Sequence, residues 1–309
     1  MVFEGDIAAC FDEISHSALM DRLRGRIGDR RVLALVNAFL KSGLLDETGV
    51  ERHTYRGTPQ GGILSPLLAN LALACLDEHF QARWVALGSA YKRRVHRERG
   101  GATYRLVRYA DDFVVMVFGA REHAEALRDE IGDILSGIGL RLAPEKTQVV
   151  HIDEGFDFLG FRIQRHRQWG SRRRLVYSYP SKMAAASVRR KVKEVTAKQT
   201  TNQSPSHLFR RLGQITRGWA IYFRYGASKT AFLDLQHYLW WRVWTWLRKK
   251  HPNQSERWIV KRYRSELLWW RSTDGVDLFK PGSVAIKRYL YRGSKIPTPW
   301  THATEQVAA

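Results

Sequence analysis

Three aspartates lie at the ends of apolar segments, and they restrict what this chain can fold into more than any other feature. Asp6 follows the apolar residues Val2 and Phe3, and Asp111-Asp112 separates the apolar segments 106–109 and 113–118. Aspartate is disfavoured in β-strands, so these positions need a reason. The order of residues predicts one strand before Asp6 and a β-hairpin that carries Asp111 and Asp112 at its turn.

Two explanations are open for these carboxylates. Aspartate is common at turns because its side chain bonds the neighbouring backbone, and this is the ordinary explanation of an isolated Asp-Asp pair. Alternatively, the carboxylates bind hard divalent cations such as Mg²⁺, which prefer oxygen ligands. Two such ions, about 3.5 to 4 Å apart, clamp the attacking and leaving oxygens of a phosphoryl transfer.

The other elements of the first half mix helices with strands. Helices are predicted after the candidate N-cap Ser15, after Asp29, after the cap Ser65 with Pro66 at the first helical position, and over about residues 122–138. The apolar face of the helix after Asp29 is expected to comprise Val32, Val36, Phe39 and Leu40. This irregular order predicts an α+β fold and not a repeated βαβ unit.

The charge of the chain is strongly asymmetric. Residues 1–161 hold 20 Lys+Arg against 23 Asp+Glu, whereas residues 162–309 hold 31 against 7, so the whole surplus behind the net charge of +21 lies in the second half. Ten of the eleven tryptophans also lie there. Cations interleaved with large aromatic faces suit phosphate contacts and base stacking. The alternative is a tryptophan-rich helical core under a solvated basic face, and most individual tryptophans are expected in such a core.

Apolar residues at helical spacing predict two long helices in the second half. Their apolar stripes comprise Leu208, Leu212, Ile215, Trp219, Tyr222 and Phe223 in the first helix, and Phe232, Leu235, Leu239, Val243 and Trp246 in the second. The predicted organisation is an α+β domain over residues 1–163, a basic hairpin or linker over 164–181, a helical domain over 182–292 and a tail over 293–309.

Four blocks resemble the motifs of reverse transcriptases, in that family's order and spacing. Tyr109-Ala110-Asp111-Asp112 is similar to the YADD box, and residues 6–12 resemble the first aspartate motif. Residues 58–70, with their Thr-Pro-Gln-Gly-Gly start, are similar to a block typical of group II intron enzymes and form the most specific signal. Residues 140–147 and 158–161 resemble the blocks of the proton donor and the primer grip.

The second half extends this resemblance. Residues 217–223, followed by a long tryptophan-rich helix, resemble the maturase domain, or domain X, that serves the family as its thumb. The resemblance covers roughly residues 1–292. It implies a polymerase palm with an antiparallel sheet and packed helices, followed by an all-α thumb.

The resemblance also implies roles for the residues at matching positions. Asp6, Asp111 and Asp112 would bind two Mg²⁺ ions, and Lys146 would protonate the pyrophosphate, although an exposed lysine near a turn is the alternative. Phe11 would lie under the sugar and favour deoxynucleotides. Further contacts to the incoming nucleotide or its template pair would come from the Ile7 carbonyl and from Gln60, Gly61 and Tyr109.

Other positions are expected to contact nucleic acid. The primer-grip block supplies Phe158, Leu159 and Gly160. The basic segments of the second half supply Arg172, Arg173, Arg174, Lys249 and Lys250. The implied partners are an intron or template RNA, a DNA primer and deoxynucleotides.

The family's N-terminal fingers blocks do not precede Asp6 in this sequence, and no Cys or His pairs indicate an HNH endonuclease. A split partner, a mis-assigned start or a decayed fragment would each explain the lack of fingers. Because the fingers help to hold the triphosphate, weak or no polymerase activity is expected from this chain alone. A second copy of the chain in a dimer, or a separate chain that contains the fingers, would complete the polymerase.

Three functions are therefore weighed. The first is an RNA-directed DNA polymerase with maturase function in intron splicing. The second is a maturase that only binds intron RNA, and the third is a bacterial defence or retron-type reverse transcriptase, against which the maturase-like thumb argues.

Only Cys10 and Cys75 are present, and no apolar run is long enough for a membrane span. A cytoplasmic location without membrane contact is expected.

Overall fold

The structure is a computed structural model that describes residues 1–42, 44–45, 51–52, 56–58, 62–168, 170–265 and 269–287. The chain divides into two compact units, Met1–Phe156 and Asp157–Ala309. Among the described residues, no helix is both long and apolar enough to cross a membrane.

The first unit alternates irregularly between helices and strands, as an α+β fold requires. Its elements are β1 (Val2–Gly5), α1 (Cys10–Glu13), α2 (His16–Arg24), α3 (Arg30–Lys41), β2 (Leu44–Leu45), β3 (Glu51–Arg52), α4 (Ser65–Ala86), α5 (Ala90–Glu98), β4 (Thr103–Tyr109), β5 (Asp112–Phe118), α6 (Arg121–Glu125), α7 (Leu127–Ser136) and β6 (Gln148–Val150). A 3₁₀ turn over Pro144–Lys146 precedes β6.

A four-stranded antiparallel sheet organises this unit. The strand order is β4-β5-β1-β6, so β1 pairs with β5 on one side and with β6 on the other. One face of the sheet carries Phe3, Phe113 and Val115 into a core shared with the long helix α4. The strands expected over 106–109 and 113–118 are confirmed, and each is longer than expected.

The helix starts predicted at Ser15 and Asp29 are also confirmed, but Ser65 is not the cap of α4. The helix begins one residue earlier than the Ser-Pro pair indicated, so Ser65 is its first residue and Leu64, whose side chain cannot accept a hydrogen bond, stands at the cap position. The Ser15 hydroxyl accepts a hydrogen bond from the amide of Ala18 (3.5 Å), and the Asp29 carboxylate accepts one from the amide of Arg31 (2.8 Å). The single helix expected over 122–138 is instead divided into α6 and α7, which meet at Ala126.

The expected face of α3 is partly wrong. Leu40 is buried, and Leu33 and Val36 pack against the core, but Val32 and Phe39 are exposed. Two overlapping apolar stripes run along this helix, and the core buries only one of them. Helical periodicity alone does not distinguish two adjacent stripes.

The second unit begins with strands and continues with helices. Its elements are β7 (Phe156–Phe158, which crosses the boundary between the units), β8 (Phe161–Arg167), β9 (Arg174–Pro180), α8 (Lys182–Val195), α9 (Pro205–Phe223), α10 (Lys229–Lys250) and α11 (Glu256–Tyr263). Strands β7, β8 and β9 form one sheet in that order, and β8 and β9 pair as an antiparallel hairpin. The two long helices predicted from apolar spacing are α9 and α10.

Tryptophans build much of the core of this unit, as expected for most of them individually. Trp246 and Trp270 are fully buried, and the rings of Trp240 and Trp244 pack around Trp270 with centroids 5.3 and 5.9 Å from it. The indole of Trp246 donates to the Thr200 hydroxyl (3.0 Å), which satisfies its buried N–H. Trp241 differs, since it is half exposed.

A glycine connects the first aspartate motif to the block that follows it. Gly57 has a φ of +80°, and a Cβ atom there would lie 2.5 Å from the carbonyl oxygen of Phe11 and 2.6 Å from that of Asp12. Its own amide donates to Ile14 O (2.8 Å), and His16 Nε2 donates to its carbonyl (2.6 Å). Because the close neighbours are backbone atoms, no side-chain movement can relieve the clash.

We therefore expect Gly57→Ala to lower the free energy of unfolding of the first unit by about 2 kcal/mol or more, from backbone strain and the clash together. Gly28→Ala is the matched control, since a Cβ atom on Gly28 would have no neighbouring atom within 4 Å and its φ is not left-handed. Urea denaturation of both variants, followed by circular dichroism, measures the difference. Equal midpoints for the two variants would contradict the prediction.

Candidate active site and nucleic-acid interface

The pairing of β1 with β5 brings the three aspartates together. Gly5 is opposite Phe113 in the ladder. Continued by one residue, this register would set Asp6 opposite Asp112, and the charges of Asp6 and Asp111 do act on the Asp112 carboxylate. The hairpin turn consists of Ala110 and Asp111, because Tyr109 and Asp112 are the last paired residues of β4 and β5.

The three carboxylates influence one another electrostatically. The pKa of Asp112 is raised, first by partial burial and then by the negative charges of Asp111 and Asp6, while Lys146 acts in the opposite direction. Mutual repulsion of this kind raises the free energy of the ionised cluster unless a cation lies nearby. Asp6 is largely shielded, with 23% of its side chain exposed.

Lys146 supplies a positive charge to this cluster. Its Nζ lies 2.6 Å from Asp6 Oδ2, and this hydrogen bond raises the pKa of the Lys146 ammonium. The 3₁₀ turn that carries Lys146 is fixed to the motif around Asp6, because the Ala143 amide donates to the Asp6 carbonyl (2.8 Å). Backbone pairing thus holds Asp6 and Lys146, which are far apart in sequence, in one site.

The same backbone pairing involves Ile7. An isolated antiparallel bridge joins Ile7 to Leu142, through the Asp6 carbonyl and the Ala8 amide, which donates to Arg141 O (3.0 Å). The Ile7 carbonyl takes no part in that bridge. The Ile7 side chain is buried in the core, so its predicted nucleotide contact would come from the backbone.

The donor chemistry of the cluster fits a hard divalent cation. Asp6, Asp111 and Asp112 offer carboxylate oxygens, which such ions prefer, and the charge of Lys146 already partly balances them. Among the described residues, no group of three or more His, Cys, Asp or Glu side chains is placed so that it could hold a metal ion by itself. Oxygens of a substrate would therefore have to supply the remaining ligands.

A narrow, mostly apolar cleft lies beside the aspartates. Its lining residues come from α1, α4 and the hairpin turn, namely Cys10, Phe11, Pro66, Ala69, Asn70, Leu73, Ala110 and Asp111. Burial, with the charge of Asp111 as the next cause, raises the pKa of the Cys10 thiol to about 12, so this cysteine is an inert part of the wall. Phe11 is half-buried and packs against the core.

The remaining predicted nucleotide contacts are divided between described and undescribed positions. Tyr109 ends β4 with most of its side chain exposed, next to the turn. Gln60 and Gly61 lie outside the described residues. Thr58, which starts their block, donates from its amide to the Phe11 carbonyl (2.6 Å), so the block begins beside the first aspartate motif.

Backbone strain marks the motif blocks. Among the described residues, the non-glycine residues with positive φ are Ala9 (44°), Ala110 (55°) and Leu159 (49°). Each lies in a different motif block, and strained residues of this kind concentrate at functional sites. Sequence patterns did not indicate this strain, because alanine and leucine carry no turn signal.

The primer-grip block forms the tight turn between β7 and β8 in the second unit. Leu159 and Gly160 both have positive φ, as a two-residue type I′ turn requires. The Tyr222 hydroxyl donates to the Leu159 carbonyl (2.9 Å), which attaches the turn to α9. Phe158 precedes the turn and is half-buried.

The predicted basic contacts of the second unit differ in their surroundings. Arg172, Arg173 and Arg174 are exposed at the tip of the β8–β9 hairpin. Lys249 is exposed at the end of α10. Lys250, by contrast, donates from Nζ to the carbonyls of Thr201 and Gln203 (2.9 Å each), a structural role that the sequence did not indicate.

Comparison with known families gives two matches. Residues 1–163 match the reverse transcriptase (RNA-dependent DNA polymerase) family, and residues 185–264 match the group II intron maturase-specific domain. The chain belongs to the reverse transcriptase family. Its maturase-specific domain and its intron-encoded relatives confirm the predicted group II intron type.

Three relatives illustrate this assignment. Protein YkfC of Escherichia coli (strain K12) is 37% identical over 199 residues, which cover 59% of this chain and 52% of that protein. Group II intron-encoded protein LtrA of Lactococcus lactis subsp. cremoris is 31% identical over 209 residues, covering 53% and 35%. Nuclear intron maturase 1, mitochondrial, of Arabidopsis thaliana is 23% identical over 235 residues, covering 52% and 33%. The match thus spans about half or less of each relative.

Among solved structures, telomerase from Candida albicans in complex with a TWJ fragment of telomeric RNA covers 84% of this chain and 49% of its own, with a TM-score of 0.44 and 13% identity. A likeness of this size adds nothing to the family assignment, which the sequence matches establish.

A divalent cation at the aspartates would compete with the Lys146 ammonium for the Asp6 carboxylate, so removal of the lysine charge should strengthen cation binding. We expect Lys146→Met to tighten Mn²⁺ binding by about two- to fivefold, the scale of an exposed ion pair. The number of free Mn²⁺ ions, counted by electron paramagnetic resonance, gives the affinity. Lys92→Met, which removes an exposed lysine on α5, should leave it unchanged, and weaker binding in Lys146→Met would contradict the competition.

Proposed function

We propose that this chain is an RNA-directed DNA polymerase of the group II intron type, whose second unit binds intron RNA as a maturase. The observation that carries the proposal is the convergence of Asp6, Asp111 and Asp112 at one end of the β1–β5 pair, with Lys146 at 2.6 Å from Asp6. Carboxylates from two strands and one exposed proton donor are the groups that nucleotidyl transfer needs.

The aspartates would hold two Mg²⁺ ions, which, when bound, lower the pKa of a primer 3′-OH and neutralise the charge on the departing pyrophosphate. Asp6 and Asp111 are the principal ligands in this proposal, and Asp112 completes the acidic cluster. The position of Asp6 is fixed by its backbone, because its carbonyl accepts from Ala143. Its carboxylate can therefore change partner without moving the strand.

Lys146 would act after it leaves Asp6. Its ammonium is on an exposed side chain, 65% accessible, so it can turn from Asp6 towards a phosphate oxygen. There it would donate a proton to the pyrophosphate as the P–O bond breaks. The hydrogen bond to Asp6 raises the pKa of Lys146, so the proton is retained until the carboxylate is otherwise occupied.

Phe11 would select the sugar. Its ring stands between the core and the cleft that also contains Asp111, so it borders the space next to the carboxylates. A ring at the 2′ position of a nucleotide would exclude a hydroxyl there. Deoxynucleotides are therefore the proposed substrates, and a DNA strand is the proposed product.

The second unit would contribute RNA binding. The chain holds 31 of its 51 Lys and Arg residues beyond residue 161, against 7 Asp and Glu. Cations at such density bind phosphates by releasing counterions. The exposed arginines 172–174 and Lys249 are the proposed contacts, and Lys250 is omitted because its ammonium bonds two backbone carbonyls.

Metal binding tests the catalytic proposal without requiring turnover. We expect the chain to bind Mn²⁺ and expect Asp6→Asn and Asp111→Asn each to abolish the tightest binding, because each removes a charged ligand. Asp133→Asn, an exposed change on α7, is the control and should bind as the unaltered chain does. Primer extension on an RNA template with deoxynucleotides is expected to be weak from this chain alone, and whatever extension the unaltered chain shows should be lost in the same two variants.

The outcomes separate the alternative functions. Aspartate-dependent Mn²⁺ binding with extension supports the polymerase. Absence of aspartate-dependent binding, with RNA binding retained, would instead favour a maturase that only binds RNA. Extension that survives Asp111→Asn would refute the assigned site.

Salt dependence tests the RNA interface. We expect simultaneous change of Arg172, Arg173 and Arg174 to Gln to reduce the slope of log affinity against log salt by about 2, since each phosphate contact to a single strand contributes about 0.7. The control changes Arg190, Arg248 and Arg271 to Gln, which removes the same charge from arginines that face Glu194, Glu256 and Asp277. Filter binding of an intron RNA at several salt concentrations gives the slopes. Equal slopes in the two variants would refute a specific contact by the hairpin.

A further inference from the structure

An arginine two residues before the hairpin turn is attached to both the turn and the long helix α4. Arg108 Nη1 donates to the carbonyl of Ala110 (2.9 Å) and to Asn70 Oδ1 (2.9 Å). Its Nε donates to Asp77 Oδ2 (2.9 Å), and Nη2 donates to the same oxygen. Only 11% of the Arg108 side chain is exposed.

The location of Arg108 in β4 is unusual for a cation. Leu106 and Tyr104, two and four residues earlier, pack against the core from the same face of the strand. Alternation along a strand therefore directs Arg108 towards α4 and not towards solvent. Burial of a guanidinium is unfavourable unless hydrogen bonds satisfy its donors, and here three acceptors from two elements do so.

The Ala110 carbonyl is the informative acceptor. Ala110 has a left-handed φ of 55°, a conformation that disfavours a side chain. The peptide that carries this carbonyl also carries the amide of Asp111, so the orientation of the carbonyl fixes the backbone from which the Asp111 carboxylate projects. A hydrogen bond to that carbonyl opposes relaxation of the turn to a negative φ.

We propose that Arg108 is a positioning residue, which sets the orientation of the Asp111 carboxylate by fixing the Ala110 peptide to Asn70 and Asp77 on α4. This inference rests on the proposed function, since it concerns the aspartate cluster. The hydrogen bond from Arg108 to Asn70 joins two motif blocks, because Asn70 ends the block that begins at Thr58 and Arg108 precedes the YADD box. The guanidinium fork matters as much as the charge, because one lysine ammonium does not reach all three acceptors in the same geometry.

The chain provides a matched control for this arginine. Arg22 on α2 donates from Nε to the Leu71 carbonyl (2.9 Å) and from Nη2 to both Glu78 oxygens (2.9 Å each). It thus makes a similar fork to a backbone carbonyl and a carboxylate on the same helix, with 19% of its side chain exposed. Neither of its partners belongs to the aspartate cluster.

The test compares Arg108→Met with Arg22→Met in the full chain, with three measurements. Thermal midpoints report stability, electron paramagnetic resonance reports Mn²⁺ affinity, and hydrogen exchange reports the amides of Asp111 and Asp112. We expect both variants to lose stability. Arg108→Met should also weaken Mn²⁺ binding by about tenfold or more, the scale for residues that orient metal ligands. Its Asp111 and Asp112 amides should exchange faster, whereas Arg22→Met should keep both properties.

Arg108→Lys covers the case in which Arg108→Met does not fold. It keeps a cation beside Asp77 and so should fold, but it should still weaken Mn²⁺ binding and speed exchange at the turn. Unchanged affinity and exchange in the folded variant, or equal changes in Arg22→Met, would overturn the inference. If the unaltered chain shows no Asp111-dependent Mn²⁺ binding, the proposed function fails, whereas the exchange measurement still decides whether Arg108 holds the turn.

Discussion

The antiparallel pairing of β1 with β5 is the constraint on which the candidate site depends. Its register, with Gly5 opposite Phe113, brings Asp6 near Asp112 where the sheet ends, so that the charge of Asp6 acts on Asp112. A shift of one residue would turn every side chain of β1 to the other face, moving Phe3 out of the core and Asp6 away from its partners. The apolar core therefore specifies the geometry of the polar site.

Hydrogen bonds to the carbonyls of the strained residues stabilise the left-handed conformation in the motif turns. The carbonyl of Ala9 accepts from the amides of Asp12 and Glu13, that of Ala110 accepts from Arg108, and that of Leu159 accepts from Tyr222. Each bond opposes rotation of a peptide out of the left-handed conformation. These hydrogen bonds stabilise the unusual backbone in three motif blocks. They offset the conformational cost of about 1 to 2 kcal/mol per residue.

Local signals in the sequence were sufficient for much of the fold. The helix starts at Ser15 and Asp29, the paired strands around Asp111, and the stripes of α9 and α10 are encoded within a few turns of chain. They are present in the structure, except that Tyr222 of the predicted α9 stripe is exposed. The α3 face, the fork of Arg108 and the bonds of Lys250 depend on partners that are distant in sequence, 47 and 49 residues away for Lys250. The position of Arg108 on the same face of β4 as the apolar residues Tyr104 and Leu106 was the one feature of the sequence that could have indicated its structural role.

The division of charge along the chain suits the functions proposed for its two halves. A cluster of three carboxylates would be neutralised by a dense field of arginines, and divalent cations would then bind poorly. Among the described groups that shift the pKa of Asp112, the cation is Lys146, whose exposed side chain could turn away from the proposed metal site. An RNA surface has the opposite requirement, because each added carboxylate repels phosphate. Concentration of the basic surplus beyond residue 161 meets both requirements in one chain.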